Sequence, residues 1–385
     1  MKIAGAPISW GVCEVPGWGY QLTPDRVLAE MKQAGLAATE LGPEGFLPTD
    51  TTELVELLDG YGLSCVGGFV PVVLFKDDHD PADDLAGPLE SLVAAGSGVV
   101  VLAAATGQDG YDDRPVLDET QWATLLSNLD RLAEIVAARG LTAVLHPHVG
   151  TMVENRAEVD RVLAGSTIPL CLDTGHLLIG GTDPLALTKA VPERVAHAHL
   201  KDVNAGLAAK VQSGELTYTQ AVAAGMYVPL GAGDVDIAGI VKTLEDNGYD
   251  GWYVMEQDKI LDADPGGAPE AEGPLADVLA SVAYLQGAAA RGASRARGSP
   301  YPARHASPNR PSSALPRSWA TAWSPWRRVI FSAPPCSPRS TGSSGCCRPI
   351  RTSSPTPRST SSTTRWPTRC TRRGTWPPSR RANRC

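Results

Sequence analysis

Between residues 143 and 202 the chain reads AVLHPH (143–148), PLCLDTGH (169–176) and VAHAHLKD (195–202), and a fourth run of this kind, YVMEQD, occupies 253–258. Each run begins with apolar residues, as a fully buried parallel strand does, and then reaches His, Asp or Glu. Five of the chain's seven histidines lie in the first three runs, namely His146, His148, His176, His197 and His199. The pattern predicts polar chemistry at one end of a parallel sheet.

Around this stretch, residues 1–290 alternate between strand-like and helix-like segments. Strands are predicted at 3–10, 39–42, 63–70, 99–105, 143–148, 169–173, 195–199 and 252–256. Helices are predicted at 24–34 (with Thr23 as a cap), 51–61, 88–95, 119–139, 157–163, 184–191, 237–247 and 274–285, and an insertion at 205–226 follows the seventh strand. Eight such units in about 290 residues are the count and length of a (β/α)8 TIM barrel, an α/β fold.

In a TIM barrel the functional site is built at the carboxyl ends of the strands, which is where these polar residues fall. Residues two apart on a strand face the same side, so imidazole and carboxylate groups from strands five to eight are expected to converge. The predicted ligands are His146, Asp173, His199 and Glu256. Such a set suits Mn²⁺, Co²⁺, Zn²⁺ or Mg²⁺.

Each of these residues also has an ordinary structural interpretation. A buried His can be a hydrogen-bonded core residue, Asp173 can cap the turn at Thr174 and Gly175, and Glu256 can be a solvated strand end. The occurrence of all four at equivalent strand ends favours a metal site, because an uncompensated cluster of this kind is costly to bury.

Composition changes abruptly near Ala290. Residues 291–385 contain 19 Arg and no Lys, Asp or Glu, whereas residues 1–290 contain 15 basic and 42 acidic residues, a net charge of −27. The tail is rich in Ser, Pro and Arg and lacks periodicity, so it is predicted to be disordered. It can be interpreted as a basic arm for nucleic acid or membrane, or as the product of a shifted reading frame in GC-rich coding DNA. We favour the second interpretation, and predict a barrel at 1–290 followed by a separate basic tail at 291–385.

Other features limit the class of protein. Cys13, Cys65 and Cys171 have no CxxC spacing, which argues against a disulfide framework or zinc knuckle and fits a reducing cytoplasm. Neither an export signal nor an apolar run long enough to cross a bilayer is found, so no membrane association is predicted. The acidic body should repel DNA, so the expected partner is a small molecule. The oligomeric state, including a homo-oligomer, stays open.

Several longer motifs carry a family resemblance. They are APISWGVCEVPGWG (6–19), TELGPEGFLP (39–48), HPHVGTMVE (146–154), CLDTGH (171–176), HLKDV (199–203) and GAGDVDIAGIVKTLEDNGYDGWYVMEQD (231–258). In order and spacing the chain resembles, over residues 3–285, the inosose dehydratase branch of the xylose isomerase-like TIM barrels. The resemblance implies a divalent metal at the barrel mouth, usually Mn²⁺ or Co²⁺, and a keto-inositol substrate that loses water to give a diketone in inositol catabolism. Glutathione is also associated with the family, although no residue pattern here requires it.

The superfamily's ligand pattern is Glu at the end of strand five, Asp after strand six, His on strand seven and Glu on strand eight. Asp173, His199 and Glu256 match it, whereas His146 stands where Glu is usual, and His148 or Glu154 could replace it. The spacing of Asp173 and His176 resembles the family pair in which the Asp binds metal and the His reaches the substrate.

A metal, a base and an acid can together remove water from a polyhydroxy ketone, whatever the family. A divalent metal that chelates a polyhydroxy ketone stabilises the enediolate, after which a base and an acid must move protons. His176, with Glu154 or Glu40, is predicted to perform the proton transfer, and Glu40 could instead cap a helix. Lys201 is predicted to hydrogen-bond a substrate oxygen or to balance the carboxylates, unless it is a solvated strand-end residue.

Further residues are predicted to contact the substrate. His148 and His197 accompany the ligands on strands five and seven. Trp10 and Trp18 could cover one face of a sugar ring, although Trp10 could equally be core.

Three other functions would use parts of the same pattern. A sugar isomerase or epimerase would use the same metal and enediolate. A nuclease at abasic sites shares this barrel but needs more metal ligands and a less acidic body. A non-catalytic sugar-binding or metal-storage protein would not need acid and base candidates beside the ligands.

Overall fold

One sheet of nine strands forms the centre of the protein in the computed structural model, which describes residues 1–266 and 273–297, with side chains as far as residue 287. The strands of the chain are β1 (Lys2–Gly5), β2 (Ala38–Glu40), β3 (Ser64–Gly67), β4 (Phe69–Val72), β5 (Val99–Ala104), β6 (Thr142–Leu145), β7 (Leu170–Asp173), β8 (Val195–Leu200), β9 (Asp202–Val203), β10 (Tyr227–Val228) and β11 (Trp252–Met255). All but β9 and β10 belong to this sheet, in the order β3-β2-β1-β11-β8-β7-β6-β5-β4. Every pairing within it is parallel.

The sheet is a nearly closed barrel, because its two edge strands, β3 and β4, are neighbours in the chain. Only Gly68 separates them, and it accepts a hydrogen bond from Val101 of β5 while Gly67 accepts one from Leu41 beyond β2. A Cβ atom at Gly68 would lie 3.1 Å from Leu92. β3 and β4 therefore act as one barrel strand that is interrupted at a crowded glycine. Counted in this way, eight strands surround the barrel axis.

Helices cover the outside of the barrel. They are α1 (Pro24–Gln33), α2 (Thr51–Tyr61), α3 (Pro81–Ala94), α4 (Glu119–Ala137), α5 (Arg156–Gly165), α6 (Thr174–Ile179), α7 (Pro184–Ala190), α8 (Ala205–Gln212), α9 (Tyr218–Ala223), α10 (Ile237–Asp246) and α11 (Pro274–Arg297). In α4, Asp118 and Gln121 form a capping box, and the helix buries Trp122, Leu125 and Leu129 against the sheet side of the core. Each buried Leu contributes on the order of 2 kcal/mol, so the amphipathic face holds this helix to the barrel.

The predicted α/β barrel is confirmed, with differences at particular elements. The first strand ends at Gly5, because Pro7 begins a 3-10 helix that runs to Trp10. The third helix begins at Pro81, where Asp80 caps it, and Pro88 lies inside it. Thr23 makes no side-chain cap to α1.

Two regions contain structure that the sequence patterns did not predict. The insertion after the seventh strand contains α8 and α9, and β10 just beyond it pairs antiparallel with β9. The short helix α6 directly follows β7. The last helix continues to Arg297, so the first seven residues of the predicted basic tail are helical, while 298–385 lie outside the described residues.

Within residues 1–266 and 273–297, no helix combines the length and the apolar character needed to cross a membrane.

Candidate active site

A cleft opens where the strands end at their carboxyl side. It holds about 560 Å³ of empty space including its open mouth. Its lining residues are Ala6, Pro7, Ile8, Val12, Cys13, Glu14, Trp18, Glu40, Gly42, Pro43, Phe69, Tyr111, His146, His148, His199, Lys201, Glu256 and Asp258. Strand ends and the loops after them thus bring titratable groups to one place, as the barrel geometry predicts.

Three of the four predicted ligands converge beside this cleft, whose wall includes His199 and Glu256 but not Asp173. His199 Nδ1 lies 3.1 Å from Glu256 Oε2 and 3.7 Å from Asp173 Oδ2. One donor atom from each of the three residues lies within 4.8 Å of the others. His146 joins them through Nε2, which is 3.1 Å from Asp173 Oδ2. His146 is therefore the strand-five side chain nearest to the three donors.

Asp173 uses its two carboxylate oxygens differently. Oδ1 accepts hydrogen bonds from the amides of Gly175 and His176 and so caps α6. Oδ2 faces His146 and His199. Burial raises the pKa of this carboxyl, but the charge of Lys201 and the contacts with the imidazoles of His146 and His199 outweigh burial and hold the pKa well below its usual range. The residue is ionised and oriented, with one oxygen free to bind a cation.

The donor atoms and charges of these residues fit a divalent metal. His199 Nδ1 is buried and has no hydrogen-bond partner among the described residues, although two carboxylates lie beside it. Burial lowers the pKa of His199, but Cys171, Glu256 and Glu40 outweigh burial and raise it well above its usual value. A positive charge at this point would stabilise the buried carboxylates, and His199 Nδ1 faces the same point as a possible ligand for a cation.

Glu40 lies behind His199 rather than on a helix end. Its Oε1 is 2.7 Å from His197 Nε2 and 3.0 Å from His199 Nε2. Burial raises the pKa of Glu40, but the two imidazoles outweigh burial and hold it well below its usual range. An ionised carboxylate on the far nitrogen of a ligating His fixes the ring orientation and strengthens its basicity. His197 lies outside the cleft and contacts Glu40 there.

Lys201 projects into the cleft from the end of β8 and is only 2% exposed. Its Nζ lies 2.6 Å from Asp258 Oδ1, 3.1 Å from Glu256 Oε2 and 3.0 Å from His176 Nε2. Burial opposes the charge, but the carboxylates of Asp258, Glu256 and Asp173 raise the pKa of Lys201 well above its usual value. It is a fixed cation and not a solvated strand end.

His148 and His176 stack with ring centroids 3.6 Å apart, and only His148 lines the cleft. Burial holds the pKa of each well below its usual value, so both rings are neutral. His148 Nδ1 lies 2.7 Å from the carbonyl oxygen of Val149, which can only accept, so Nδ1 carries the proton. Nε2 therefore bears a lone pair, and no hydrogen-bond partner for it is found in the described part of the chain.

Of the remaining predicted residues, Glu154 and Trp10 lie away from the cleft. Glu154 pairs with Arg114 at 3.2 Å and accepts a hydrogen bond from the amide of Gly150. Trp10 is fully buried in the core and donates to Glu30 at 2.7 Å, whereas Trp18 lines the cleft. The structure does not bring Glu154 or Trp10 to the cleft.

Sequence reasoning missed Asp258, Tyr218, Tyr227 and Tyr111. Asp258 follows Glu256 by two residues in YVMEQD, so the alternation of strand residues could have indicated it. Tyr111 lies in a long loop and Tyr218 in the insertion, where no periodicity relates a residue to the barrel. Their positions follow from tertiary packing alone.

Comparison with known proteins agrees with the fold. The family model described as "Xylose isomerase-like TIM barrel" matches residues 28–277. An inosose dehydratase of Geobacillus thermodenitrificans is 31% identical over 270 residues, which cover 67% of this chain and 90% of that protein. The rhizopine catabolism protein MocC of Rhizobium meliloti is 34% identical over 268 residues, covering 67% of this chain and 82% of that protein.

Solved structures share the architecture at low identity. The IOLI protein, determined with a bound zinc atom, superimposes with a TM-score of 0.56 at 13% identity and covers 76% of this chain and 99% of its own. An L-ribulose 3-epimerase gives a TM-score of 0.54 at 18% identity and covers 80% of this chain and 100% of its own. At these identities the likeness extends to the fold.

Proposed function

The chain belongs to the inosose dehydratase family of xylose isomerase-like TIM barrel enzymes, and from that membership we propose that it removes water from a keto-inositol in inositol catabolism. The reaction would convert 2-keto-myo-inositol to a trihydroxycyclohexanedione. The observation that carries the proposal is the convergence of Asp173, His199 and Glu256 beside a cleft that also presents His148 and Lys201. We propose a cytoplasmic enzyme whose partner is this small polyhydroxy ketone.

Asp173, His199, Glu256 and His146 would hold the metal, with Mn²⁺ or Co²⁺ as the proposed ions. Oxygen and imidazole donors in this mixture suit either ion. A bound divalent cation would act as a Lewis acid towards the ketone oxygen and stabilise the negative charge that develops there. Glu40 would keep His199 in the ligating orientation through its 3.0 Å contact with Nε2.

His148 is the proposed proton acceptor. It is the neutral imidazole of the cleft wall, and its Nε2 lone pair has no competing donor among the described residues. A base for the carbon next to a ketone needs a free lone pair within reach of the substrate, and positioned bases of this type contribute roughly 10²- to 10⁴-fold. We therefore assign to His148 the role that the sequence suggested for His176, which stacks behind it.

Lys201 is proposed to stabilise the departing hydroxyl. Its charged Nζ stands at the cleft wall and can exchange its contact with Glu256 for a substrate oxygen. A fixed cation in a site shielded from water stabilises developing negative charge more than a solvated one does. His148, once protonated, is positioned at the same wall to return the proton to the hydroxyl as it leaves.

Incubation of the full chain with 2-keto-myo-inositol and Mn²⁺ tests the proposal. We expect a product that has lost one water, detected by mass spectrometry and by diketone absorbance. An isomerase or epimerase would instead give a product of unchanged mass. The variant His148→Gln should reduce kcat by about 100-fold or more.

The matched control is His79→Gln, because His79 is a half-buried His paired with Asp84 outside the cleft. It should retain wild-type turnover. Equal activity of the two variants would remove His148 from the mechanism, and a product of unchanged mass would remove the dehydratase proposal.

A further inference from the structure

Five buried side chains, of which Lys201 and Asp258 line the cleft, form a closed ring of polar contacts. Lys201 Nζ contacts Asp258 Oδ1 at 2.6 Å, and Asp258 Oδ2 accepts from Tyr218 OH at 2.6 Å. Tyr218 OH lies 3.0 Å from Tyr227 OH, which lies 3.4 Å from His176 Nδ1. His176 Nε2 closes the ring on Lys201 Nζ at 3.0 Å.

With Lys201 charged and its ion-pair partner Asp258 ionised, valence allows one arrangement of protons around this ring. A charged Lys can only donate and an ionised Asp can only accept, so His176 Nε2 must accept from Lys201. The proton of the neutral ring is then on Nδ1, which donates to Tyr227 and so cannot also accept from the amide of Val149, 3.5 Å away. Tyr227 in turn donates to Tyr218, and Tyr218 donates to Asp258. Every contact of the ring has one donor and one acceptor.

Two members of the ring come from outside the barrel strands. Tyr218 begins α9 in the insertion, and Tyr227 lies on β10, which the pairing of β9 with β10 holds in place. Both are nearly fully buried, at 2% and 3% exposure. The ring is complete only when this segment is packed over the barrel, so the insertion contributes to the geometry of Lys201.

We propose that Tyr218 and Tyr227 are positioning residues that act through Asp258 and His176 to hold the Lys201 ammonium at the cleft wall. This rests on the proposed function, in which Lys201 stabilises the departing hydroxyl. Removal of the Tyr218 hydroxyl leaves Asp258 Oδ2 without its donor and frees the carboxylate to turn. Lys201 then loses its defined position while its charge stays in the site. Because a misplaced catalytic group lowers the rate more than it weakens substrate binding, kcat should fall and KM should change little.

The experiment compares Tyr218→Phe with Tyr253→Phe in the full chain. Both remove one hydroxyl from a tyrosine that is 2% exposed, but the Tyr253 hydroxyl does not line the cleft and has no hydrogen-bond partner in the part of the chain that the structure describes. Tyr218→Phe should lower kcat roughly 10- to 100-fold with KM within about threefold, whereas Tyr253→Phe should leave both unchanged. Metal content should be the same in the two variants, whereas Tyr218→Phe should melt at a lower temperature than Tyr253→Phe because it leaves a buried carboxylate oxygen without its donor. Wild-type kcat in Tyr218→Phe would overturn the proposal, as would a loss matched by Tyr253→Phe.

A double-mutant cycle with Asp258→Asn tests whether Tyr218 acts through Asp258. If it does, Tyr218→Phe should cost almost nothing further in the Asp258→Asn background. Additive losses would contradict the relay through Asp258 and overturn the proposal.

A spectroscopic measurement separates this inference from the proposed function. If the wild type does not dehydrate keto-inositol, the function fails, and the ring is judged by ¹⁵N NMR of histidine-labelled, metal-free protein. The ring requires the neutral Nδ1–H tautomer of His176 in the wild type, altered in Tyr227→Phe and retained in Tyr253→Phe. An Nε2–H tautomer or a charged ring in the wild type would overturn the proposal whatever the activity.

Discussion

At the scale of single residues, Asp173 shows that two interpretations of one side chain can both hold. Its Oδ1 caps α6, as an Asp before Thr-Gly suggests, while its Oδ2 faces His146 and His199. The sequence could predict both roles because each follows from a local rule. It could not predict that Glu154 is held by Arg114, because that ion pair joins segments forty residues apart in the chain.

The first prediction separates the two roles of Asp173. In Asp173→Asn the amide oxygen can still accept from the amides of Gly175 and His176, so α6 keeps its cap and the protein stays folded. The other oxygen is replaced by an NH₂ group, which cannot ligate a cation, so stoichiometric metal should be lost. Elemental analysis after dialysis, together with thermal melting, checks this.

Asp183→Asn is the control, because Asp183 caps α7 through the amide of Ala186 and does not line the cleft. It should bind metal as the wild type does. Retention of one tight ion per chain in Asp173→Asn would contradict the proposed ligand set.

A second prediction concerns pH. Burial depresses the pKa of His148 in the folded protein. As the pH falls below about 6.5, the ordinary pKa of a histidine, the unfolded chain therefore binds a proton at this residue and the folded chain does not. The free energy of unfolding of metal-free protein should therefore decrease towards acid pH, by at most about 1.4 kcal/mol per pH unit for this one group. His148→Phe should flatten that dependence by one proton. Urea titrations between neutral pH and pH 5 measure the slope, and identical slopes in the two proteins would argue against a buried neutral His148.

At the scale of elements, the alternation of residues along the strands indicated which polar side chains lie together at the strand ends. The positions of the short connecting elements are visible only in the three-dimensional structure. α6 packs so closely on β8 that a Cβ at Gly175 would lie 2.7 Å from Lys201 Cβ and 2.9 Å from the Tyr227 ring. α6 follows β7 without an intervening residue and spans only six residues, too few for a helical period to appear in the sequence, so neither α6 nor this contact could be predicted. The contact nevertheless sets how far Lys201 and Tyr227 stand apart.

Gly175→Ala should therefore destabilise the protein by about 1–3 kcal/mol through overpacking. It should also lower activity, because the added methyl pushes against Lys201. Gly60→Ala is the control, since Gly60 is an exposed helical residue of α2 with open space around its Cβ position. That variant should be neutral or stabilised by up to about 1 kcal/mol. Chemical denaturation of both variants measures the difference, and equal stabilities would show that α6 can move without cost.

At the scale of the whole molecule, the barrel explains why residues scattered over more than two hundred positions form one site. β2, β7, β8 and the end of β11 supply Glu40, Asp173, His199 and Glu256, and parallel strands in a closed sheet end at one rim. The position of the site could be predicted from the sequence. Hydrophobic runs and their spacing indicate the parallel strands, and the functional site of such a barrel lies at the carboxyl ends of its strands. The ring through Tyr218 could not be predicted, because it depends on how the insertion folds back over the rim.

The central claim is that side chains from separate strands meet around one cation, and anomalous diffraction from crystals grown with Mn²⁺ tests it most directly. We expect one ion per chain, in direct contact with Asp173 Oδ2, His199 Nδ1 and Glu256. The same map would show whether His146 is the fourth protein ligand. No ion at this position under saturating Mn²⁺, or an ion held elsewhere without these three residues, would contradict the central claim.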